Sequence, residues 1–254
     1  MSGRVSRSRL PLPHAAGRRF FTVETPTSVE CEDYRDICGF CAEINQVSEY
    51  NLLWELFPEH DLGDFLLCET ENFVVIPAVG AACDGYVLIS PRAHVLSFAH
   101  LDPALDGELR DLLRRLGDHL HRLFGHRVWA FEHGAESFRN RGGSCTDHAH
   151  ITMFPAKPGI DLVRAVGGHF VLHAVADHLP ELSRQVLERR TSYFWIRAVD
   201  GRMWICDAPH TLSQFLRRAI FRDLGRPDEW DWAVFPQKAH VRATLGRFHE
   251  TPMA

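Results

Sequence analysis

The sequence of 254 residues lacks any apolar run that approaches the roughly 18–20 residues of a membrane span. It also lacks an excess of positive charge, because its net charge is −5 at pH 7, so a general nucleic-acid role has no electrostatic support. Hydrophobic residues make up 45% of the chain and charged residues 24%, which is typical of a globular protein with a buried core.

The cysteines cannot all pair within the chain, because there are seven of them. The odd number and the lack of a signal peptide predict a cytoplasmic protein with reduced thiols rather than a disulfide framework. Histidine, by contrast, is abundant with 16 residues. This abundance favours metal or acid–base chemistry without locating it.

One stretch combines a glycine-rich loop with two histidines. Gly142 and Gly143 lie in a loop where backbone can approach a ligand closely. Polar and apolar residues then alternate up to Pro155, which predicts a strand whose polar face carries His148, His150 and Thr152. Two imidazoles beside such a loop suggest nucleophilic or metal chemistry. The alternative is a half-exposed strand that happens to carry two histidines.

A C-x-x-C pair, Cys38 and Cys41, precedes the rest of the pattern. Such a pair is one half of a zinc site or a redox motif. A redox pair normally follows a strand and opens a helix in a thioredoxin-like unit, and no such unit is visible here. Metal binding is therefore the favoured interpretation.

Hydrophobic periodicity predicts an α+β fold with an antiparallel sheet and segregated helices. Strands are expected over 65–70, 73–77, 86–90, 127–132 and 148–154, and a long leucine-striped helix over 105–124. Its His119 is expected to be solvated. Beyond 155 we expect helices over 162–178, 182–188 and 214–224, and a hairpin over 193–206. Arg217 and Arg218 are adjacent on a helix, so they cannot both face one ligand and a solvated face is expected.

The order of these motifs resembles the histidine-triad (HIT) superfamily. Cys38-x-x-Cys41, a strand leading into Pro91-Arg92-Ala93-His94, and the glycine-rich loop into His148-x-His150 occur in that order. The similarity covers roughly residues 38–156 and is greatest to the zinc-bearing branch and to galactose-1-phosphate uridylyltransferase-like proteins. Residues 1–28, in which arginine is mixed with serine, proline and glycine, are expected to be a disordered basic tail, with a transit peptide as the alternative. The resemblance implies a HIT-like domain over 29–158, followed by a C-terminal α/β extension over 159–254.

The resemblance implies a nucleotidyl transferase or hydrolase. In that family the second histidine of the motif attacks the α-phosphate, and here that residue is His150. Neutral imidazole is nucleophilic at about pH 7, and its phosphoramidate is labile enough to turn over. The other implied catalytic positions are Thr152 and Ser144. The implied substrate contacts are Gly142, Gly143, Phe40 and Tyr86.

In the zinc-bearing members, two cysteines and two histidines bind a structural metal. Carried over to this chain, the ligands are Cys38, Cys41, His94 and His148, with His100 as a rival for the place of His94. Two thiolates and two imidazoles in a tetrahedron suit zinc and leave no open position.

Several residues depart from the family pattern. Thr152 stands where hydrolases have a third histidine, and threonine can donate a hydrogen bond but cannot act as an acid. Ser144, Tyr86 and Ala78 also stand at altered positions. The changes leave two alternatives to an ordinary hydrolase open: a non-catalytic nucleotide-binding module, or an enzyme of specialised metabolism with an altered pocket.

The expected partner is a nucleotide or a nucleotide-linked small molecule, with neither nucleic acid nor membrane. A homodimer is expected, because HIT-like cores usually pair through their sheets and helices. The C-terminal third could instead cover that pairing surface within one chain.

Overall fold

The computed structural model describes residues 38–144, 146–176 and 179–253. The predicted tail over 1–28 lies outside these residues, as do Cys31 and Cys145. Within the described ranges, no helix combines the length and hydropathy that a membrane crossing requires.

Eight strands form a single antiparallel sheet in the described residues. They are β1 (Cys68–Glu69), β2 (Phe73–Pro77), β3 (Val87–Pro91), β4 (Val128–Gly134), β5 (Ile151–Pro155), β6 (His173–Val175), β7 (Tyr193–Arg197) and β8 (Met203–Asp207). Their spatial order is β1-β2-β3-β5-β4-β7-β8-β6. Neighbouring strands are antiparallel at each pairing.

The helices are segregated from the strands, and the predicted α+β class is confirmed. They are α1 (Gly39–Ile44), α2 (Leu52–Leu56), α3 (Asp106–Phe124), α4 (Leu162–Gly167), α5 (Leu179–Leu187), α6 (Phe215–Asp223) and α7 (Lys238–Glu250). Short 3₁₀ turns join several of them.

The centre of the sheet is buried on both faces. Every residue of β2, β3 and β5 is buried, and each of these strands is rich in the β-branched and aliphatic residues that suit such a position. Helix α3 packs its leucine stripe on β4 and β5, with Leu109, Leu112, Leu113, Leu116 and Leu120 buried. Burial of a leucine contributes on the order of 1.5–3 kcal/mol, so this helix anchors the sheet.

Several element boundaries differ from those predicted. The strand expected over 65–70 is shortened to β1, because Asp61 and Asp64 cap each other and draw Phe65 into a 3₁₀ turn. The strand expected from 148 begins only at Ile151. The helix expected over 162–178 ends at Gly167, and β6 follows it.

The prediction that His119 is solvated is wrong. Helix α7, which the sequence analysis did not identify, covers it: the rings of His119 and Phe248 are 5.0 Å apart, and His119 is 1% exposed. Its Nδ1 accepts a hydrogen bond of 3.2 Å from Arg122. The apolar spacing Val241, Leu245, Phe248 was the available signal for α7.

The C-terminal third continues the same sheet. Strand β7 pairs with β4, placing Phe131 opposite Ile196. A buried polar link joins the two strands, because the Tyr193 hydroxyl donates to Glu132 Oε2 at 2.7 Å. The Phe98 backbone N–H donates to Glu132 Oε1 at 2.8 Å. Since β7 occupies the outer edge of β4, the homodimer, which stays a prediction, would have to form through another surface.

Replacement of Glu132 by glutamine should change how stability depends on pH. Burial raises the pKa of Glu132 to about 8 from its ordinary 4.5. Between these values the folded chain holds a proton that the unfolded chain releases, so this contribution to stability is present at low pH and lost as pH rises towards 8. The loss is up to about 1.4 kcal/mol per pH unit. Urea unfolding of wild type and Glu132→Gln at several pH values should show it.

The matched control is Glu55→Gln, which removes an exposed carboxylate. The free-energy difference between wild type and this control should stay constant across the same pH range. A difference between wild type and Glu132→Gln that is equally constant would contradict the prediction.

Candidate functional site

Four side chains that could hold a metal ion meet beside the start of β5. They are Cys38, Cys41, His94 and His148, and one ligand atom from each lies within 4.8 Å of all the others. Cys38 caps the N-terminus of α1 and Cys41 lies in that helix, so the turn brings both sulfurs to one side. His94 follows β3 and His148 precedes β5, which are neighbouring strands.

The distances within this cluster suit a tetrahedral metal. Cys41 Sγ lies 3.2 Å from His94 Nδ1 and 3.4 Å from His148 Nδ1. Cys38 Sγ lies 3.6 Å from His148 Nδ1. Zinc bonds of about 2.3 Å to sulfur and 2.0–2.1 Å to nitrogen give a sulfur–nitrogen separation of about 3.6 Å. These sulfur–nitrogen distances are close to those of a tetrahedral zinc site. Cys41 is disulfide-bonded in this structure, contrary to the expectation of reduced thiols, so its sulfur could serve as a ligand only after reduction.

His148, the histidine of the cluster that precedes β5, is oriented by a backbone hydrogen bond on the side of its ring away from the sulfurs. The other ring nitrogen of His148, Nε2, donates to the Pro91 carbonyl at 2.9 Å. This bond fixes the tautomer and leaves the Nδ1 lone pair facing the sulfurs. Burial lowers the pKa of His148 to about 3, so the ring is neutral, as a metal ligand must be. Burial also raises the pKa of Cys38, although backbone hydrogen bonds from Cys41 and Phe40 partly oppose this rise, and a nearby cation would favour the thiolate further.

The rival ligand, His100, lies elsewhere. Its Nδ1 is 2.8 Å from Ser97 Oγ, and its Nε2 donates to the Glu136 carbonyl at 3.1 Å. Both nitrogens are thus engaged, one by the loop that follows β3 and the other by the segment that follows β4. In this structure it is therefore His94, and not His100, that lies with the other three residues of the cluster.

His150 is held by the backbone of the same loop. Its Nδ1 lies 3.1 Å from the His148 carbonyl oxygen. Because that oxygen can only accept, Nδ1 carries the proton and the lone pair is on Nε2. The Phe40 ring stacks on His150 at 5.2 Å and 13°. Burial lowers the pKa of His150, and the positive charge of Arg217 lowers it further, so the imidazole is neutral.

A cleft of about 530 Å³ opens beside His150, a size typical of small-molecule sites. Its polar lining includes Thr152, Ser144, Tyr86 and Arg217. Its apolar lining includes Ala78, Val79, Leu88, Phe131 and Trp232. The cleft can accommodate an apolar group together with a polar or charged one.

Most of the predicted site residues line this cleft. Phe40, Tyr86, His150 and Thr152 do so, together with Ser144, whose hydroxyl donates to the Thr146 carbonyl at 3.2 Å. As predicted for a shared strand face, His148, His150 and Thr152 all contact the same space, although only Thr152 lies within β5.

The two glycines are placed differently. Gly142 and Gly143 are not among the described residues that line the cleft. They pack against the C-terminal third: a Cβ on Gly142 would lie 2.5 Å from the Ala208 carbonyl, and one on Gly143 would lie 2.7 Å from that of Thr211. Their role as substrate contacts stays a prediction, and their role in the fold is close backbone approach.

The sequence analysis missed several residues of the cleft, among them three that carry ionisable groups. His133 lines it and donates from Nε2 to the Gly142 carbonyl at 2.6 Å, which fixes the glycine loop. Glu43 lines it as a buried carboxyl whose pKa is raised to about 8 by burial. Arg217 reaches it from α6. The position of His133 at the end of a strand was a usable signal, but no local pattern marks the other two.

Comparison with known proteins adds little to this description. No protein-family model and no curated protein sequence matches the chain. Among solved structures, it is similar to a hypothetical histidine triad nucleotide-binding protein from Sulfolobus tokodaii strain 7, with 19% identity and a TM-score of 0.35 over 48% of this chain and 71% of that chain. It is also similar to a Hit-like protein involved in cell-cycle regulation from Bartonella henselae, with 11% identity and a TM-score of 0.33 over 48% and 83%. Likeness at this level does not assign a function.

Substitution of Gly143 by alanine should destabilise the chain more than the same change at Gly201. Both glycines have left-handed backbone, with φ of +90° and +88°, so each alanine costs about 1–2 kcal/mol in backbone strain. Only at Gly143 would the new Cβ also meet backbone, since the space around Gly201 is open. Urea unfolding of the two variants measures the difference. Equal losses would show that the loop does not pack tightly on Thr211.

Proposed function

We propose that this chain is a HIT-like enzyme that transfers or hydrolyses a nucleoside-monophosphoryl group through His150. The observation that carries the proposal is the 3.1 Å contact between His150 Nδ1 and the His148 carbonyl, on the lining of a cleft. This contact puts the proton on Nδ1 and the lone pair on Nε2. The motif order of the sequence, which resembles the HIT superfamily, supports the same reaction class.

The proposed reaction has two steps. His150 Nε2 attacks the phosphorus, a nitrogen–phosphorus bond forms, and the leaving group departs with the electron pair of its phosphorus–oxygen bond. Water or another acceptor then attacks the phosphorus and loses a proton to solvent as the phosphorus–oxygen bond forms, and the electron pair of the nitrogen–phosphorus bond returns to Nε2. The Nδ1 proton stays on the ring throughout, and the His148 carbonyl stabilises the positive charge that the substituted ring acquires.

We further propose that the cluster of Cys38, Cys41, His94 and His148 holds a structural zinc ion. The sulfur–nitrogen distances and the Pro91 contact of His148 support zinc over metals that prefer oxygen ligands. Four protein ligands leave no position for a substrate. The ion would pin α1, and with it Phe40, beside the loop that carries His150.

One observation favours a second candidate, a nucleotide-binding module without turnover. Thr152, at 3% exposure, stands beside His150 without a group that could protonate a leaving oxygen. An intact cleft with a slow or absent chemical step would bind nucleotides and release them unchanged. The same observation suits an enzyme of specialised metabolism whose substrate has a leaving group that needs no proton.

His150→Ala should abolish a covalent adduct while zinc content and folding stay intact, since His150 is not in the metal cluster. Wild type is incubated with a panel of dinucleotides and nucleotide sugars, quenched, and analysed by intact mass spectrometry. Wild type should gain the mass of one nucleoside-monophosphoryl group, and the variant should not.

His148→Ala is the informative contrast, because it should lower the melting temperature through loss of the cluster. His121→Ala, an exposed change on α3, should behave as wild type. If wild type forms no adduct with any nucleotide of the panel, the enzyme proposal is wrong and the binding-module candidate remains.

Metal analysis of the purified full chain should find about one zinc ion. Cys38→Ser should lose most of this zinc and lower the melting temperature, because one of four ligands is removed. Cys68→Ser, a half-buried cysteine away from the cluster, should keep both. Wild-type protein that is free of metal and unaffected by a chelator would contradict the zinc proposal.

A further inference from the structure

Arg217 reaches the cleft from α6, in the part of the chain to which the HIT resemblance does not extend. Its Nη2 donates to the Gly80 carbonyl at 2.6 Å, and its Nε lies 3.1 Å from both the Trp230 carbonyl and Gln214 Oε1. Neutral oxygens therefore hold the guanidinium in place. Within the described residues, no carboxylate forms an ion pair with it, so its charge is not neutralised by the protein.

The loop between β2 and β3 is shaped for this contact. Gly80 has left-handed backbone with φ of +73°, and a Cβ there would lie 2.6 Å from Arg217 Nη2 and 2.5 Å from Trp232 Cβ. Only glycine lets both side chains approach so closely. The Gly80 N–H also donates to the Pro236 carbonyl at 2.8 Å. The arginine is thus fixed from both sides before any ligand arrives.

A second polar group points to a ligand at the same place. The Tyr86 ring is stacked on Phe154 at 5.2 Å and is 1% exposed. Its hydroxyl lies beside Arg217 and Thr152, but no well-oriented hydrogen bond from the described residues satisfies it. A buried hydroxyl without such a bond destabilises the fold, and a bound acceptor would remove this penalty.

We infer that Arg217, Tyr86 and Thr152 form an anion subsite that binds the oxygens of a phosphoryl group next to His150. The three side chains offer donors and one uncompensated positive charge. The carboxyl groups that line the same cleft lie on other segments: Glu43 is on α1, and Asp147, in the loop before β5, forms an ion pair with Arg141. A tetrahedral phosphate matches this set, because a guanidinium binds its oxygens with charge-assisted hydrogen bonds. The subsite deepens the proposed function and rests on it for the identity of the reacting group.

The apolar part of the cleft limits the classes of ligand that could bind at this subsite. The apolar side chains of Val79, Leu88 and Trp232 line the same space. A ligand that fills it would carry a flat, mostly apolar part joined to one phosphate. A nucleoside monophosphate or a similar aryl phosphate ester has this chemistry, whereas a free sugar or a peptide does not.

Arg217→Gln tests the subsite by calorimetric titration of the full chain. The probes are adenosine monophosphate, uridine monophosphate, inorganic phosphate and uncharged adenosine. Wild type should bind the monophosphates more tightly than adenosine, and Arg217→Gln should weaken monophosphate binding by roughly 10–100-fold while adenosine binding is unchanged.

The matched control is Arg218→Gln, on the same helix. The Arg218 guanidinium lies 3.2 Å from the centre of the Trp230 ring, its Nε donates to the Ser213 carbonyl, and it does not line the cleft. This variant should bind all four probes as wild type does. Tyr86→Phe is the second test, since it deletes only a hydroxyl and should fold even if Arg217→Gln does not; it should weaken monophosphate binding by roughly 3–10-fold.

The outcomes separate this inference from the proposed function. Arginine-dependent binding of monophosphates without any covalent adduct would support the subsite and reject the enzyme. An adduct in wild type together with unchanged monophosphate binding in both Arg217→Gln and Tyr86→Phe would overturn the subsite alone. No binding of any phosphate probe by wild type would also overturn it.

Discussion

The hydrogen bond from His148 Nε2 to the Pro91 carbonyl links the two chemical parts of this structure. It turns the His148 ring so that Nδ1 faces the two cysteines, while the carbonyl of the same residue holds His150 Nδ1. One residue therefore orients the candidate metal cluster with its side chain and the proposed nucleophile with its backbone. Because β3 and β5 are paired neighbours, the sheet itself keeps Pro91 beside His148.

The hydrogen bonds that the His148 carbonyl accepts explain why β5 begins later than predicted. The His148 carbonyl accepts from His150 Nδ1 and from the Thr146 hydroxyl at 3.2 Å. Its acceptor capacity is used within the loop, so it does not enter the sheet ladder. Alternation in the sequence shows which side chains share a face, but it cannot show where the backbone begins to pair. For this reason, the shared side of His148, His150 and Thr152 could be predicted from the sequence, whereas the first residue of β5 could not.

Residues close in sequence were easier to place than residues brought together by the fold. Cys38 and Cys41 are one helical turn apart, and their pairing was visible from spacing alone. His94 required a family resemblance, since nothing local distinguishes it from His100. Arg217 was expected to be solvated. In the structure its position depends on the left-handed Gly80, 137 residues earlier in the chain, and on the segment around Trp232. Helical periodicity cannot encode such contacts.

The C-terminal third is part of the site as well as of the sheet. It pairs β7 with the outer edge of β4, packs Thr211 against the glycine loop, and contributes Arg217 and Trp232 to the cleft. A core that ended near residue 156 would leave the β4 edge open and the cleft without its uncompensated positive charge.

The presence of Thr152 where a third histidine would be expected, together with Arg217 in the same cleft, affects which leaving groups the proposed reaction can use. A third histidine at the position of Thr152 could give a proton to a leaving oxygen, whereas threonine and arginine cannot, because an arginine keeps its proton in proteins. If His150 forms the proposed adduct, Thr152 and Arg217 stabilise charge on the phosphoryl oxygens without protonating the leaving group. Burial raises the pKa of Tyr86, the third member of the subsite, which makes its hydroxyl a weak acid. Leaving groups that are stable as anions, such as phosphate or diphosphate, are then displaced more readily than an alkoxide or an amine. The cleft is accordingly better matched to transfer from an activated phosphate ester or anhydride than to cleavage of a bond that requires an acid.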